Sequence, residues 1–150
     1  MKAVLQLVDG ASVSIKGEVV SEIGKGFLIF VGFEKGDEEA ILAKMAHKIA
    51  RLRLFPDAQG KTNLSLSEVS GEILSISQFT LLASVKEGNR PSFVNSLKGE
   101  ESKPLYERFN ALLRLEGAKV KEGVFGADMD VRLLNKGPFT LILDSKELFR

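Results

Sequence analysis

The segment that most constrains the fold is an almost unbroken apolar run at residues 26–33, which reads GFLIFVGF. Eight residues is the length of a strand, and an apolar run without polar alternation predicts a central strand covered on both faces. Just before it, residues 11–16 alternate apolar and polar side chains, as a half-buried strand does. Further strand patterns lie at residues 19–23, 52–55, 72–82, 131–134 and 139–143.

Two stretches change from the strand period to the helical period. Residues 41–49 carry apolar side chains at helical spacing, with Asp37 placed to cap the helix, and residues 104–116 form a second helix. Many strands with two helices predict an α+β fold, and 150 residues suit one domain. We therefore expect a single compact domain, residues 1–150, with a curved, barrel-like β-sheet and two main flanking helices. Strand count alone does not separate a barrel from an open sheet.

The residue types that most hydrolytic and metal chemistry requires are almost absent. The chain has no cysteine and one histidine, which excludes thiolate nucleophiles, zinc–thiolate sites and sites with two histidines. We interpret that histidine, His47, as solvated. Asp128 and Asp130 supply too few oxygen ligands for a metal on their own. We therefore expect neither a metal nor a cofactor.

The charge balance and the hydropathy limit the classes of binding partner that we expect. Basic and acidic residues number 21 and 20, so the net charge is +1 and binding to nucleic acid requires a local basic patch. No apolar run approaches the roughly 20 residues of a membrane span, so we expect no membrane partner.

Two polar segments stand beside apolar strands. The first places Ser77, Gln78 and Thr80 around Phe79, and the second is the GPFT sequence at residues 137–140. Hydroxyl and amide groups are costly to bury without partners, yet the same residue types also serve ordinary turns. From the residues alone, each segment is either a binding site or turn chemistry.

The sequence resembles the D-aminoacyl-tRNA deacylases, formerly called D-tyrosyl-tRNA deacylases, whose two diagnostic motifs occur here in the same order. Residues 77–80 carry the family's SQFT motif unaltered, and residues 137–140 match its GPVT motif except that Phe139 replaces valine. The resemblance covers nearly the whole chain, with further similar blocks at residues 3–6, 11–13, 17–20, 52–55, 60–61, 63–65 and 88–93. Two ordered motifs with flanking blocks are a far more specific signal than a lone short pattern.

The resemblance implies a cytoplasmic homodimer of barrel-like subunits that proofreads chirality in translation. Its members hydrolyse the ester joining a D-amino acid to the terminal adenosine of tRNA, and they also remove glycine mischarged on tRNA-Ala. The implied partners are a second copy and aminoacyl-tRNA, with no DNA. Carried over, Ser77, Gln78, Phe79 and Thr80 line the aminoacyl-adenosine pocket, and the Phe79 and Thr80 N–H groups face the scissile carbonyl.

The second motif carries the chiral filter by the same resemblance. Gly137 and Pro138 form a Gly-cis-Pro element that reaches into the active site of the other subunit. Its carbonyls hold the amino group of the substrate and leave no room for an L side chain.

Elementary chemistry agrees with a site that needs no charge relay. An aminoacyl ester is already activated, and its ribose 2′-hydroxyl can help to transfer a proton. The protein then supplies position and oxyanion donors, each worth roughly 3–4 kcal/mol. Direct nucleophilic attack by Thr80 is the second interpretation, because no base lies near it in sequence.

The chain departs from the family pattern at four positions. Leu7 replaces a common arginine, Thr62 a methionine and Lys136 a frequent acidic residue, and Phe139 is bulkier than valine. These differences concern the shape of the pocket and the contacts between subunits. Of the four, Thr62 lies in the segment 60–65, which we expect to border the pocket.

Local basic residues offer two candidate surfaces for RNA. Lys86 and Arg90 flank the loop after SQFT and are the predicted tRNA phosphate contacts. A helical trio at positions 44, 48 and 51 is interpreted as a solvated face.

Three alternatives stay open. One is a relative with relaxed chirality that acts on L-alanyl or other wrongly charged tRNA, an alternative that Phe139 keeps open. Another is a non-catalytic RNA- or nucleotide-binding dimer, and the third is a metal-dependent hydrolase.

Overall fold

The computed structural model describes residues 1–149 and contains a six-stranded mixed sheet, a two-stranded hairpin and two long helices. The strands are β1 (Lys2–Ile15), β2 (Glu18–Ile23), β3 (Gly26–Gly32), β4 (Arg53–Pro56), β5 (Thr62–Ser65), β6 (Glu72–Ser77), β7 (Lys119–Glu122) and β8 (Asp130–Asp144). The helices are α1 (Glu39–Ala50), α2 (Gly99–Leu115) and the short α3 (Ser145–Leu148), with a 3₁₀ turn at Phe79–Leu82.

Strand β1 organises the sheet because it is long enough to pair with three others. One edge pairs antiparallel with β3 and then with β2, and the other edge pairs antiparallel with β8. Strands β6 and β7 extend the sheet from β3 in parallel, through crossovers that contain α1 and α2. The sheet curls until Lys121 of β7 donates a hydrogen bond to the Glu22 carbonyl of β2, 2.7 Å away. The predicted barrel-like sheet with two main helices is confirmed.

The apolar run that dominates the sequence is covered on both faces, as its composition predicts. Phe27, Ile29 and Val31 of β3 belong to the main apolar cluster, which includes buried side chains of α1 and α2. Leu28 belongs to a second cluster inside the curved sheet, with Val13 of β1 and Leu74 of β6 among its members. β3 is therefore the wall between two cores.

Four local predictions were wrong. Asp37 does not cap α1, because its carboxylate accepts hydrogen bonds from the Glu34 N–H at 2.8 Å and from the Met1 amino group. Helix α2 begins at Gly99 rather than at Pro104, which lies inside the helix. The predicted strand 72–82 ends at Ser77, and the 3₁₀ turn follows from Phe79. Residues 131–143 form one strand rather than two, because the Gly137–Pro138 segment bulges out while pairing with β1 continues on both sides.

Among residues 1–149, no helix has the length and the apolar character needed to cross a membrane.

Candidate active site

A cavity of about 590 Å³ opens at the carboxyl end of β6. It lies between the SQFT turn, the start of α2 and the loop that joins β7 to β8. Its walls include Ser77, Phe79, Phe93, Lys98, Phe125 and Met129. Its volume is that of a typical small-molecule site.

The SQFT turn is attached to β3 by backbone contacts. The Gln78 N–H donates to the Val31 carbonyl at 2.7 Å, and the Leu81 N–H then donates to the Gln78 carbonyl at 3.3 Å. Gly32 allows this approach, because a Cβ there would lie 2.8 Å from the Gln78 carbonyl oxygen. The position of the turn is therefore set by main chain packed on main chain.

Two backbone donors remain open at the start of this turn. No acceptor among residues 1–149 receives a hydrogen bond from the N–H of Phe79 or of Thr80, as is usual for the first N–H groups of a helical turn. Ser96 donates its hydroxyl to the Phe79 carbonyl at 3.0 Å, and the Phe93 ring packs edge-on against the Phe79 ring with centroids 5.1 Å apart. The peptide groups are held while their donors stay available.

The Thr80 hydroxyl is paired with a donor. Its Oγ1 accepts a hydrogen bond from the Gln78 side-chain amide at 2.5 Å, and the side chain is exposed. Within residues 1–149 no carboxylate or imidazole hydrogen-bonds to this hydroxyl. A base that would activate it as a nucleophile is therefore missing from the described part of the subunit.

The second motif forms a bulge at the edge of the sheet. Gln6 and Val8, two residues apart on β1, pair with Thr140 and Asn135 on β8, which are five residues apart. The extra residues carry Gly137 and Pro138, which are exposed and joined by a cis peptide bond, as the resemblance implies. Neither residue lines the cavity.

The basic residues divide between the loop and the cavity. Lys86 and Arg90 lie exposed in the segment between the 3₁₀ turn and α2 and do not line the cavity, whereas Lys98 does. Sequence reasoning missed Lys98. It also missed Asp128 as a wall residue, because it assessed that carboxylate only as a metal ligand. These side chains come from segments distant in sequence, and only the fold brings them together.

Beneath the cavity, a buried tyrosine fixes α2 to β6. The Tyr106 hydroxyl donates to the Ser75 carbonyl at 2.8 Å, and its ring lies 5.8 Å from that of Phe125, a cavity wall. Burial raises the pKa of the Tyr106 phenol above its usual range, so the group stays a neutral donor at physiological pH.

The remaining candidates lie elsewhere. His47 is exposed and pairs with Glu116 at 3.1 Å, close to a second, polar cavity between α1 and the end of α2. Thr62 lines neither cavity, and no residue of the segment 60–65 is among those that line the SQFT cavity. Within residues 1–149, no cluster of three or more acidic or histidine side chains is arranged to hold a metal ion.

Of the four residues predicted to line the pocket, Ser77, Gln78 and Phe79 line this cavity and Thr80 does not. A cavity beside a turn with open backbone donors, without a charge relay, suits an enzyme that acts on an activated acyl group. The family model for D-Tyr-tRNA(Tyr) deacylase matches residues 4–144. Proteins named D-aminoacyl-tRNA deacylase are similar over almost their whole length. One from Lactobacillus acidophilus is 54% identical, with 96% of this chain and 99% of the relative covered. One from Bacillus velezensis is 51% identical, with 98% and 100% covered.

Two solved structures have the same fold as this chain. A protein described as c-Myc DNA Unwinding Element Binding Protein superposes with a TM-score of 0.90 at 39% identity, covering 96% of this chain and 98% of its own. A probable eukaryotic D-amino acid tRNA deacylase gives a TM-score of 0.83 at 18% identity, covering 95% and 97%, which shows the fold alone. The chain belongs to the D-Tyr-tRNA(Tyr) deacylase family and is an enzyme of that class, which confirms the resemblance seen in the sequence.

Proposed function

We propose that the protein hydrolyses the ester bond of D-aminoacyl-tRNA and releases free D-amino acid and tRNA, as chiral proofreading in the cytoplasm. The observation that carries the proposal is the pair of open N–H groups, Phe79 and Thr80, in a member of this family. Phe79 lines the cavity of about 590 Å³, and Thr80 follows it in the same turn without lining the cavity. Donors of this kind match the oxygen of an ester carbonyl on which negative charge develops.

The reaction follows from that placement. Water attacks the carbonyl carbon of the ester, the carbonyl oxygen becomes an oxyanion, and the Phe79 and Thr80 N–H groups stabilise it. The C–O bond to the ribose then breaks, and the leaving oxygen takes up a proton. The neighbouring 2′-hydroxyl of the tRNA is placed to relay the proton released by the attacking water. In this mechanism Ser77 and Gln78 position the substrate and perform no covalent step.

Thr80 acts through its main chain in this proposal. Its hydroxyl oxygen already accepts a hydrogen bond from Gln78, and no base among residues 1–149 hydrogen-bonds to the hydroxyl to take up its proton. Replacement by the isosteric Thr80→Val keeps the N–H group and is expected to lower kcat by about 10-fold at most. A nucleophilic role would require a loss of about 10⁴-fold or more, the scale seen when a catalytic nucleophile is removed.

The chiral filter is proposed to come from a second subunit. Within residues 1–149, β8 pairs with β1 alone, and its outward side chains Leu134 and Ile142 are 63% and 76% exposed. An open strand edge beside exposed apolar side chains is typical of a surface that another chain covers. We propose a homodimer through this strand, in which Gly137 and Pro138 enter the partner's cavity and their carbonyls hold the substrate ammonium.

A filter of this kind excludes L-aminoacyl substrates by the shape of the backbone. An L side chain meets the backbone of the Gly137–Pro138 element, whereas glycine has no side chain to exclude. The protein is therefore also proposed to hydrolyse glycine mischarged on tRNA-Ala.

The tRNA backbone is proposed to run past the loop after the SQFT turn. Lys86 and Arg90 contact phosphates there, and Lys98, which lines the cavity itself, binds nearest the reacting end. Contacts with phosphate release counterions, so affinity falls as salt rises.

The proposal is tested by release of tyrosine from D-tyrosyl-tRNA and L-tyrosyl-tRNA, assayed in parallel with a chelator present. Rapid loss of the D ester alone is expected. Hydrolysis of both esters would show that the chiral filter does not exclude L side chains, and Phe139 would then be the first residue to test. Activity that is lost with chelator and restored by added metal would favour a metal-dependent hydrolase.

One observation favours a second candidate, a nucleic-acid-binding protein without turnover. The structural neighbour at 39% identity is described by its binding to a DNA unwinding element. Under this reading, neither ester is lost while an aminoacyl-adenosine analogue still binds.

A further inference from the structure

We propose that Asn135 is a positioning residue for chiral selection: its side-chain amide closes the neck of the bulge that carries Gly137 and Pro138. The inference rests on the proposed function, because it assigns the device that holds the proposed filter in place. No motif in the sequence singles out Asn135.

The neck is where the bulge leaves and rejoins β8. Asn135 pairs with Val8 and Thr140 pairs with Gln6, so regular pairing to β1 stops at one and resumes at the other. The residues between them have no partner strand on β1. Something other than the β-ladder must therefore fix the direction of the Gly137 and Pro138 carbonyls.

The Asn135 amide makes that connection with both ends of its side chain. Its Oδ1 accepts the Phe139 N–H at 2.8 Å, which joins the two sides of the bulge. Its Nδ2 donates to the Thr140 hydroxyl at 2.9 Å and to the Gln6 side-chain carbonyl. Asparagine offers one carbonyl and one NH₂ group, and both are engaged here.

Thr140 completes the arrangement. Its hydroxyl accepts from Asn135 and lies 3.3 Å from the Gln6 Oε1, to which it donates. Each side chain thus fixes the orientation of the next. A network in which every member is satisfied holds one geometry, whereas a partly satisfied network does not.

In the described part of the chain, two other contacts reach the bulge, and neither spans its neck. The Lys136 ammonium lies 3.3 Å from the Asp9 carboxylate, but both groups are open to solvent, where an ion pair contributes little and salt screens it. Phe139 is half-buried against the main apolar cluster, and this contact anchors only the C-terminal side of the bulge. Among residues 1–149, only the Asn135 side chain bonds across from the start of the bulge to the residues that end it.

The consequence is a division between catalysis and selection. The open N–H groups of the SQFT turn do not depend on Asn135, so loss of the amide leaves the ester-cleaving site intact. The bulge becomes free to move, and its carbonyls no longer exclude an L side chain. Asn135→Ala is therefore expected to lower the D-over-L ratio of kcat/KM by about 10-fold or more, because a misplacement of 1 Å costs on the order of 100-fold in well-aligned sites.

The test compares three variants for the D-over-L ratio, for amide hydrogen exchange at Phe139 and for melting temperature. Asn135→Ala removes the clamp. Asn135→Asp keeps the acceptor for Phe139 but loses both Nδ2 donors, and it serves if the alanine variant does not fold. Asn63→Ala is the matched control: Asn63 also clamps a turn, donating to Asp57 at 3.1 Å and accepting from Arg53, on the distant β4–β5 hairpin.

We expect the ratio to fall and exchange at Phe139 to accelerate in Asn135→Ala, with Asn135→Asp retaining slower exchange than alanine and losing selectivity. Asn63→Ala should lower the melting temperature alone. An unchanged ratio in folded Asn135 variants, or a fall matched by Asn63→Ala, overturns the inference. If wild-type protein does not prefer the D ester, the proposed function fails, and Phe139 exchange alone decides the clamp: equal rates in wild type and Asn135→Ala would overturn it.

Discussion

The SQFT turn and the Gly137–Pro138 bulge are held in different ways. The turn extends from β6, an interior strand between β3 and β7. Its position is fixed by the hydrogen bond from the Gln78 N–H to the Val31 carbonyl and by the bare backbone of Gly32. The bulge leaves the strand at the sheet's edge, is exposed, and is held by a side-chain amide. One element is built of main chain packed on main chain, and the other of side chains bonding across a gap.

The difference would let one chain separate the two proposed tasks, ester cleavage and chiral selection. Donors that stabilise an oxyanion must be rigid, and a central strand flanked by two apolar clusters supplies that rigidity. The bulge is proposed to enter another subunit, and an element with that role must project from an edge, where no ladder can support it. Side-chain hydrogen bonds then supply the missing support.

The largest effect is expected from filling the space behind the turn. In Gly32→Ala, the new Cβ would lie 2.8 Å from the Gln78 carbonyl, so the turn must shift. Overpacking of this kind costs about 1–3 kcal/mol of stability. Displacement of the donors should lower kcat/KM on D-tyrosyl-tRNA by about 100-fold.

Gly24→Ala is the control for that experiment, because a Cβ at Gly24 meets nothing within 4 Å. Deacylation kinetics and melting temperature should both stay near wild type. Equal activity of the Gly32 and Gly24 variants would break the claim that the main chain positions the turn.

A smaller effect is expected from Ser96→Ala, which removes the hydrogen bond to the Phe79 carbonyl. A neutral hydrogen bond contributes about 0.5–1.5 kcal/mol, so kcat/KM should fall by about 2- to 10-fold. The D-over-L ratio should stay constant, since the bulge is untouched. A change in that ratio would show that the two elements are not independent.

The smallest effect on activity is expected at a third turn, which a carboxylate holds. Backbone N–H groups of Lys61 and Gln59, with the Asn63 amide, lower the pKa of Asp57 below its ordinary value of 3.8. A lowered pKa in the folded state adds stability above the ordinary value, and this is lost as pH falls through the folded-state pKa. Asp57→Asn should thus be less stable than wild type at pH 7, and the difference should shrink below about pH 4.

Urea unfolding at pH 7 and at pH 3 measures this difference, and deacylation near neutral pH should be unchanged. Neutral amides and hydroxyls hold the bulge, so selectivity should not follow the Asp57 titration. A stability difference that grew in acid would contradict the sign of the shift.

Much of the architecture was predictable from the pattern of apolar residues, because buried positions recur at the period of the strand or helix. The run at residues 26–33 predicted a strand between two cores, and the SQFT and GPFT motifs marked the segments that form the turn and the bulge. What could not be predicted depends on distant partners. Asp37 was predicted to cap α1, but its carboxylate accepts hydrogen bonds from the Met1 amino group and the Glu34 N–H instead. Lys98 joins the cavity only because α2 begins beside β6.

In the proposed homodimer, the turn of one subunit works with the bulge of the other. A heterodimer tests it, with Gly32→Ala in one chain and Gly137→Ala in its partner, purified through two different tags. Gly137 has a φ of +135°, and a Cβ there would lie 3.0 Å from the Phe139 nitrogen, so alanine distorts the bulge. Only the Gly137→Ala chain keeps a working turn.

The measurement is the D-over-L ratio of tyrosyl-tRNA hydrolysis by that heterodimer, beside the Gly137→Ala homodimer. If the bulge acts across the interface, the working turn faces an intact bulge. The heterodimer should then hydrolyse the D ester alone, while the homodimer loses its preference. A heterodimer as unselective as the homodimer would place the filter within one chain and contradict the account.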